Sequence, residues 1–157
     1  MAYCRCYPAA LMPGNELCIV MIFYYRGMIV INKICQVIDG EYVCDIDISV
    51  EEWKALLMNE KVFDSKSIEA LKKWYIEPNH SCTCFDIGKK YEQHSMSANG
   101  VINGLGGRVQ KELGRFEVKG IGNIAPGTKF ITVMKSKETG EKPKRYLWTI
   151  RDELVQA

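Results

Sequence analysis

The chain has 157 residues, the length of one compact domain with an appendage rather than two full domains. It is 47% hydrophobic and so able to bury a core. Its one strongly apolar run, residues 17–25 (LCIVMIFYY), is far shorter than the roughly 20 residues a membrane-spanning helix needs, so no membrane partner is expected. A formal charge of +2 selects no partner, but the charge is unevenly spread. Residues 1–84 hold 8 basic and 11 acidic side chains, residues 85–157 hold 13 and 8, and residues 104–145 hold 10 and 4. A basic face in the second half would release counterions from a phosphate backbone, although a solvated lysine-rich surface accounts for the same counts.

Seven cysteines (Cys4, Cys6, Cys18, Cys35, Cys44, Cys82 and Cys84) cannot all pair within one chain, and no secretory signal with a cleavage site is legible. A reducing, cytoplasmic setting is the expectation. Residues 1–27 combine three cysteines, two prolines and no clean period, and Met28 is an alternative start. They are read as a leader apart from a β-hairpin over 28–48 and a winged-helix domain over 49–157.

Apolar runs at 29–37 and 42–48 flank Asp39-Gly40, a turn pair that accepts positive φ, and predict a hairpin. Ser49-Val50-Glu51-Glu52 is a capping box opening a helix to about Asn59, with Trp53, Leu56 and Leu57 inward. Asp64 or Ser65 caps a second helix to about Tyr75, with Ile68, Leu71, Trp74 and Tyr75 at helical spacing, and Pro78 ends it. Thr83 with Asp86 opens a short third helix to about Glu92, with Ile87 and Tyr91 inward. A turn follows, and Ser95 or Ser97 caps a fourth helix whose inner stripe is Val101, Ile102, Leu105, Val109 and Leu113. Two short helices about a tight turn form a helix-turn-helix pattern.

Gly100, Gly104, Gly106 and Gly107 each cost up to about 1 kcal/mol in a helix interior. Close packing on the third helix or close approach to a ligand would compensate, and the sequence does not separate them. Beyond this helix the period changes to two. Residues 116–118 predict a strand, Ala125-Pro126-Gly127 a turn, 129–134 (KFITVM) a strand, 136–143 a polar loop, and 145–150 (RYLWTI) the returning strand of a wing. Residues 151–155 read as a last helical turn. The fold class expected is α+β: a winged helix-turn-helix domain with an N-terminal β-hairpin and a C-terminal β-hairpin wing.

Several residues together point to a family. Ser49-Val50-Glu51-Glu52-Trp53 with Leu56-Leu57, then Leu71, Trp74-Tyr75, Thr83-Cys84, the stretch NGLGGRV at 103–109, and Tyr146-Leu147-Trp148 with Leu154 span about two thirds of the chain. This pattern resembles the DNA-recognition-like N-terminal regions of modification-dependent restriction proteins, which precede HNH nuclease modules or AAA+ GTPase modules like those of McrB. The resemblance implies a reader of duplex DNA, modified or not, in a bacterial or phage restriction or defence system. The chain carries neither an HNH array nor a Walker motif, so cutting would belong to a partner nuclease or NTPase.

Other motifs have plainer explanations. His80-Ser81-Cys82-Thr83-Cys84 has C-x-C spacing without a second knuckle, so no metal is expected, and no cofactor either. Gly104-Leu105-Gly106-Gly107 follows no strand and precedes no Lys-Ser/Thr, which fails the context of a phosphate loop. Trp53, Trp74 and Trp148 at apolar phases favour core over a base-stacking cage. His94 is a turn residue, and no carboxylate pair has acid–base spacing, so a non-enzymatic protein is expected. The DNA-binding candidates are Ser97, Asn99 and Asn103 for bases and phosphate, Arg108, Lys111 and Arg115 near the helix end, and Lys135, Lys137, Lys142, Lys144 and Arg145 in the wing. The rival expectation is a protein-interaction module, an adaptor, inhibitor or homodimer using a winged-helix surface.

Overall fold

Asp39 and Gly40 both take positive φ (51° and 77°), which sets the tight turn between β1 (Ile31–Ile38) and β2 (Glu41–Val43). The chain is described here from a computed structural model, over residues 30–121, 124 and 128–157. The leader expected at 1–27 and the turn at 125–127 lie outside the described residues.

Three helices begin where a side chain supplies the missing acceptor. Ser49 Oγ accepts from the Glu52 N–H while the Glu52 carboxylate accepts from the Ser49 N–H, and α1 (Val50–Leu57) follows. Asp64 caps α2 (Ser65–Tyr75) through the Ser67 N–H, at 2.8 Å. Thr83 caps α3 (Cys84–Lys90) through the Asp86 N–H, directly after the short strand β3 (Ser81–Thr83). The end of α3 is closed by Glu92, in the left-handed region (φ 51°), with the Gln93 N–H returning to the Gly88 carbonyl at 2.8 Å. That reversal leads into α4 (Ser95–Leu113), whose inner residues Ile102, Leu105 and Val109 are wholly buried.

Past α4 come β4 (Phe116–Gly120), a 3₁₀ turn at Phe130–Thr132, β5 (Met134–Glu138), β6 (Tyr146–Ile150) and α5 (Asp152–Gln156). Here the structure corrects two expectations. Of the expected strand at 129–134 only Met134 is in a strand: the Asn103 side-chain oxygen accepts from the Lys129 and Phe130 N–H groups, both at 3.0 Å, and so holds a helical turn at 130–132. The strand starts later and takes in part of the expected polar loop, with Met134 and Ser136 buried, Lys135 half-buried and Lys137 exposed. A buried serine had concealed that alternation.

The sheet runs β3-β6-β5-β2-β1-β4, antiparallel except for the parallel pair β1–β4. The N-terminal hairpin is therefore stitched into the same sheet as the C-terminal one. Cys35, Tyr42, Phe116, Val118, Met134, Trp148 and Ile150 alternate onto the face that meets the core, where Phe130 stacks on Trp148 with ring centroids 4.2 Å apart. All three tryptophans are buried, as core packing requires.

Both outer strands have backbone groups held by side chains. Register turns the Val118 N–H of β4 away from β1, and buried Gln110 accepts from it at 3.2 Å while donating to the Thr132 hydroxyl at 2.6 Å. At the other margin the Trp74 indole N–H donates to the Cys82 carbonyl of β3 at 3.0 Å. Neither margin is a free template for another strand.

Candidate nucleic-acid interface

The fourth helix is packed on several sides, against α2, α3, β4 and the 130–132 turn. Gly106 explains part of its glycine content, because a Cβ there would sit 2.1 Å from the Lys129 carbonyl oxygen. The close approach is thus to the 3₁₀ turn, rather than to α3 or a ligand. Gly100 meets nothing within 4 Å, and with Ser97, Gly104 and Lys111 it forms a solvent-facing stripe.

The polar candidates on this helix divide by what already occupies them. The Ser97 hydroxyl is exposed and donates to the His94 carbonyl at 2.6 Å. The Asn103 amide nitrogen donates to the Asn99 side chain and carbonyl, and its oxygen holds the 130–132 turn. Asn99 and Asn103 are therefore committed to each other and to the fold. Arg108 donates to the Val62 carbonyl (2.8 Å) and the Ser67 hydroxyl, and pairs with Asp64 at 3.4 Å, tying α4 to the start of α2. Hydrogen bonds from Ser67 to Asp64, with the Arg108 guanidinium nearby, hold the Asp64 carboxyl below its usual range.

Arg115 grips Glu52 with both guanidinium nitrogens and also donates to the Asp47 carbonyl. This pairing pulls the Glu52 carboxyl down to about 2. In the C-terminal hairpin Lys135 pairs with Asp152 at 2.6 Å, Lys144 with Glu138 at 2.7 Å, and Arg145 with Glu141 at 3.4 Å. Exposed pairs of this kind are worth about 0–1 kcal/mol, so a phosphate can displace the carboxylate. Lys111, Lys137 and Lys142 are exposed and have no ion-pair partner among the described residues.

Contacts with no signal in the sequence join these parts. The Arg145 guanidinium lies 4.0 Å from the centre of the Phe85 ring, so the loop end of the hairpin rests on α3. A groove of about 360 Å³ separates α2 from the start of α4, lined by Lys66, Lys73, His94, Ser97 and Val101 among others. The sheet face opposite the core stays open and carries the aliphatic side chains of Ile34, Ile38, Val43, Ile121 and Leu147, each 39–48% exposed. Lys119, Lys135, Lys137, Glu41 and Glu117 alternate onto the same face.

His80 Nδ1–H donates to the Tyr75 carbonyl at 2.6 Å and the imidazole stacks on the Tyr75 ring, while burial pushes the Cys82 thiol up and the Cys84 thiol up to about 12. No group of three metal-ligating side chains occurs among the described residues. No described helix is long and apolar enough to cross a membrane. No protein-family model, curated protein or solved structure matches the chain.

Proposed function

We propose that the protein binds duplex DNA as a winged helix-turn-helix module without catalytic activity of its own. One observation supports the reading: in the order α2, β3, α3, α4, β4, β5, β6, with β3 pairing β6 and β6 pairing β5, the elements other than β4 follow the helix and strand order expected of a winged helix. The tight reversal at Glu92 supplies its helix-turn-helix joint, and the β5–β6 hairpin its wing. The stripe Ser97, Gly100, Gly104 and Lys111 is the part of α4 offered to the groove, and small residues there let the helix backbone come close to the duplex. Lys137 and Lys142, with the exchangeable Lys135, Lys144 and Arg145, contact phosphates. Asn103 and Arg108 act as scaffold in this arrangement. A restriction or defence setting, with a nuclease or NTPase partner, follows from the resemblance described above.

Fluorescence anisotropy with mixed modified and unmodified duplexes at about 50 and 200 mM salt tests it. The wild-type chain is expected to bind with a steep salt dependence. Replacing Lys111, Lys137 and Lys142 together with Gln lowers the log–log slope by about 1 per lysine. Absence of binding at the lower salt, or a slope unmoved by the triple substitution, overturns the reading.

The open aliphatic sheet face favours a second reading, face-to-face association with another copy of the chain. Its signature is a concentration-dependent dimer in light scattering that survives high salt and is lost on Ile34→Lys.

A further inference from the structure

A second chemical feature lies within the sheet, away from the candidate interface. Cys35 is wholly buried on β1, and Cys44 is half-buried one residue past β2. The register pairs Gln36 with Val43, so the next step sets Cys35 opposite Cys44. Counting back from the two-residue turn, this is a non-hydrogen-bonded pair, whose Cα atoms typically lie about 4.5 Å apart. That separation falls inside the range of about 4.4–6.8 Å that a disulfide spans. Both side chains alternate onto the core-facing side of the hairpin.

Beside them sits Arg151, buried at the start of α5. Its guanidinium donates twice to the Ile131 carbonyl, at 2.7 and 2.9 Å, and makes no ion pair with a described carboxylate. The charge of Arg151 acts on both sulfurs, as it does on the neighbouring Glu153 and Asp152. The Cys44 thiol and Arg151 hold Cys35 below the usual thiol range, while Cys44 is pushed up. Cys44 is the sulfur that solvent can reach, so an oxidant meets it first.

We propose that Cys35 and Cys44 form a peroxide-sensitive dithiol that closes to a disulfide across the β1–β2 hairpin. The Cys44 sulfur attacks hydrogen peroxide, the O–O bond breaks, and the Cys44 thiol proton passes to the departing hydroxide, giving water and Cys44 sulfenic acid. The Cys35 thiol then attacks the Cys44 sulfur, the S–O bond breaks, and the thiol proton leaves with hydroxide as a second water. Two thiols lose two electrons and peroxide gains them. Cys82 and Cys84 lie outside this hairpin, at β3 and the start of α3.

Trypsin cleavage after Lys33 and Lys54 releases a peptide, residues 34–54, that contains these two cysteines and no others. The full chain is treated with peroxide, alkylated without reduction, digested and weighed. The expected product is this peptide lighter by about 2 Da, unalkylated, and restored to two alkylated thiols by dithiothreitol. Cys35→Ser abolishes the mass loss and leaves Cys44 as a sulfur oxyacid. Met58, 86% exposed, reports through its sulfoxide that the oxidant was sufficient. Two alkylated thiols alongside oxidised Met58, or sulfinic acid without a disulfide in the wild-type peptide, overturns the proposal.

Discussion

Glu52 concentrates two roles in one carboxylate. It accepts from the Ser49 N–H at 2.9 Å, which closes the capping box of α1, and it receives both terminal nitrogens of Arg115 from the start of β4. Its folded-state value near 2 lies below the ordinary 4.5, so the charged carboxylate stabilises the fold above pH about 4.5. That stabilisation is lost as pH falls from about 4.5 toward 2. Urea denaturation over this interval should show the wild-type midpoint falling more steeply than that of Glu52→Gln; parallel curves would deny the carboxylate this role. The local half of the arrangement was legible, because Ser49 and Glu52 are three residues apart. The Arg115 half joins residues 63 apart in the chain and leaves no sequence signature.

At the scale of the element, α4 shows where reading stops. Its inner stripe and the caps of α1, α2 and α3 depend on neighbours within a turn, and their types and approximate limits were legible. The 130–132 turn depends on Asn103, which lies 26 and 27 residues before the two N–H groups it accepts from, and so an apolar run that read as a strand is helical. Gly106 belongs to the same long-range contact. Gly106→Ala should destabilise the protein by about 1–3 kcal/mol, despite alanine's better helix propensity, because the new methyl meets fixed Lys129 backbone. Gly100→Ala, in open space, should stabilise by up to about 1 kcal/mol. Urea midpoints of the two variants moving in the same direction would contradict this assignment.

Across the whole molecule, the sheet is closed at its margins by Gln110 and Trp74, packed on one face and open on the other. The hairpin pattern and the α+β class were readable from period and turn residues, whereas the parallel β1–β4 pairing was not, since it joins segments more than 80 residues apart. Of the candidate cations, sequence could locate the charge but not the carboxylates that fold back onto Arg108, Arg115, Lys135, Lys144 and Arg145. What distinguishes a DNA-facing surface from a protein-facing one is therefore which side of the molecule responds to a ligand. Amide chemical-shift mapping during titration with a short duplex reads this directly. The account predicts shifts clustered at Ser97, Gly100, Gly104 and Lys111 and along residues 139–145 of the hairpin. Shifts confined to Ile34, Ile38, Val43, Ile121 and Leu147, or none at all, would contradict it.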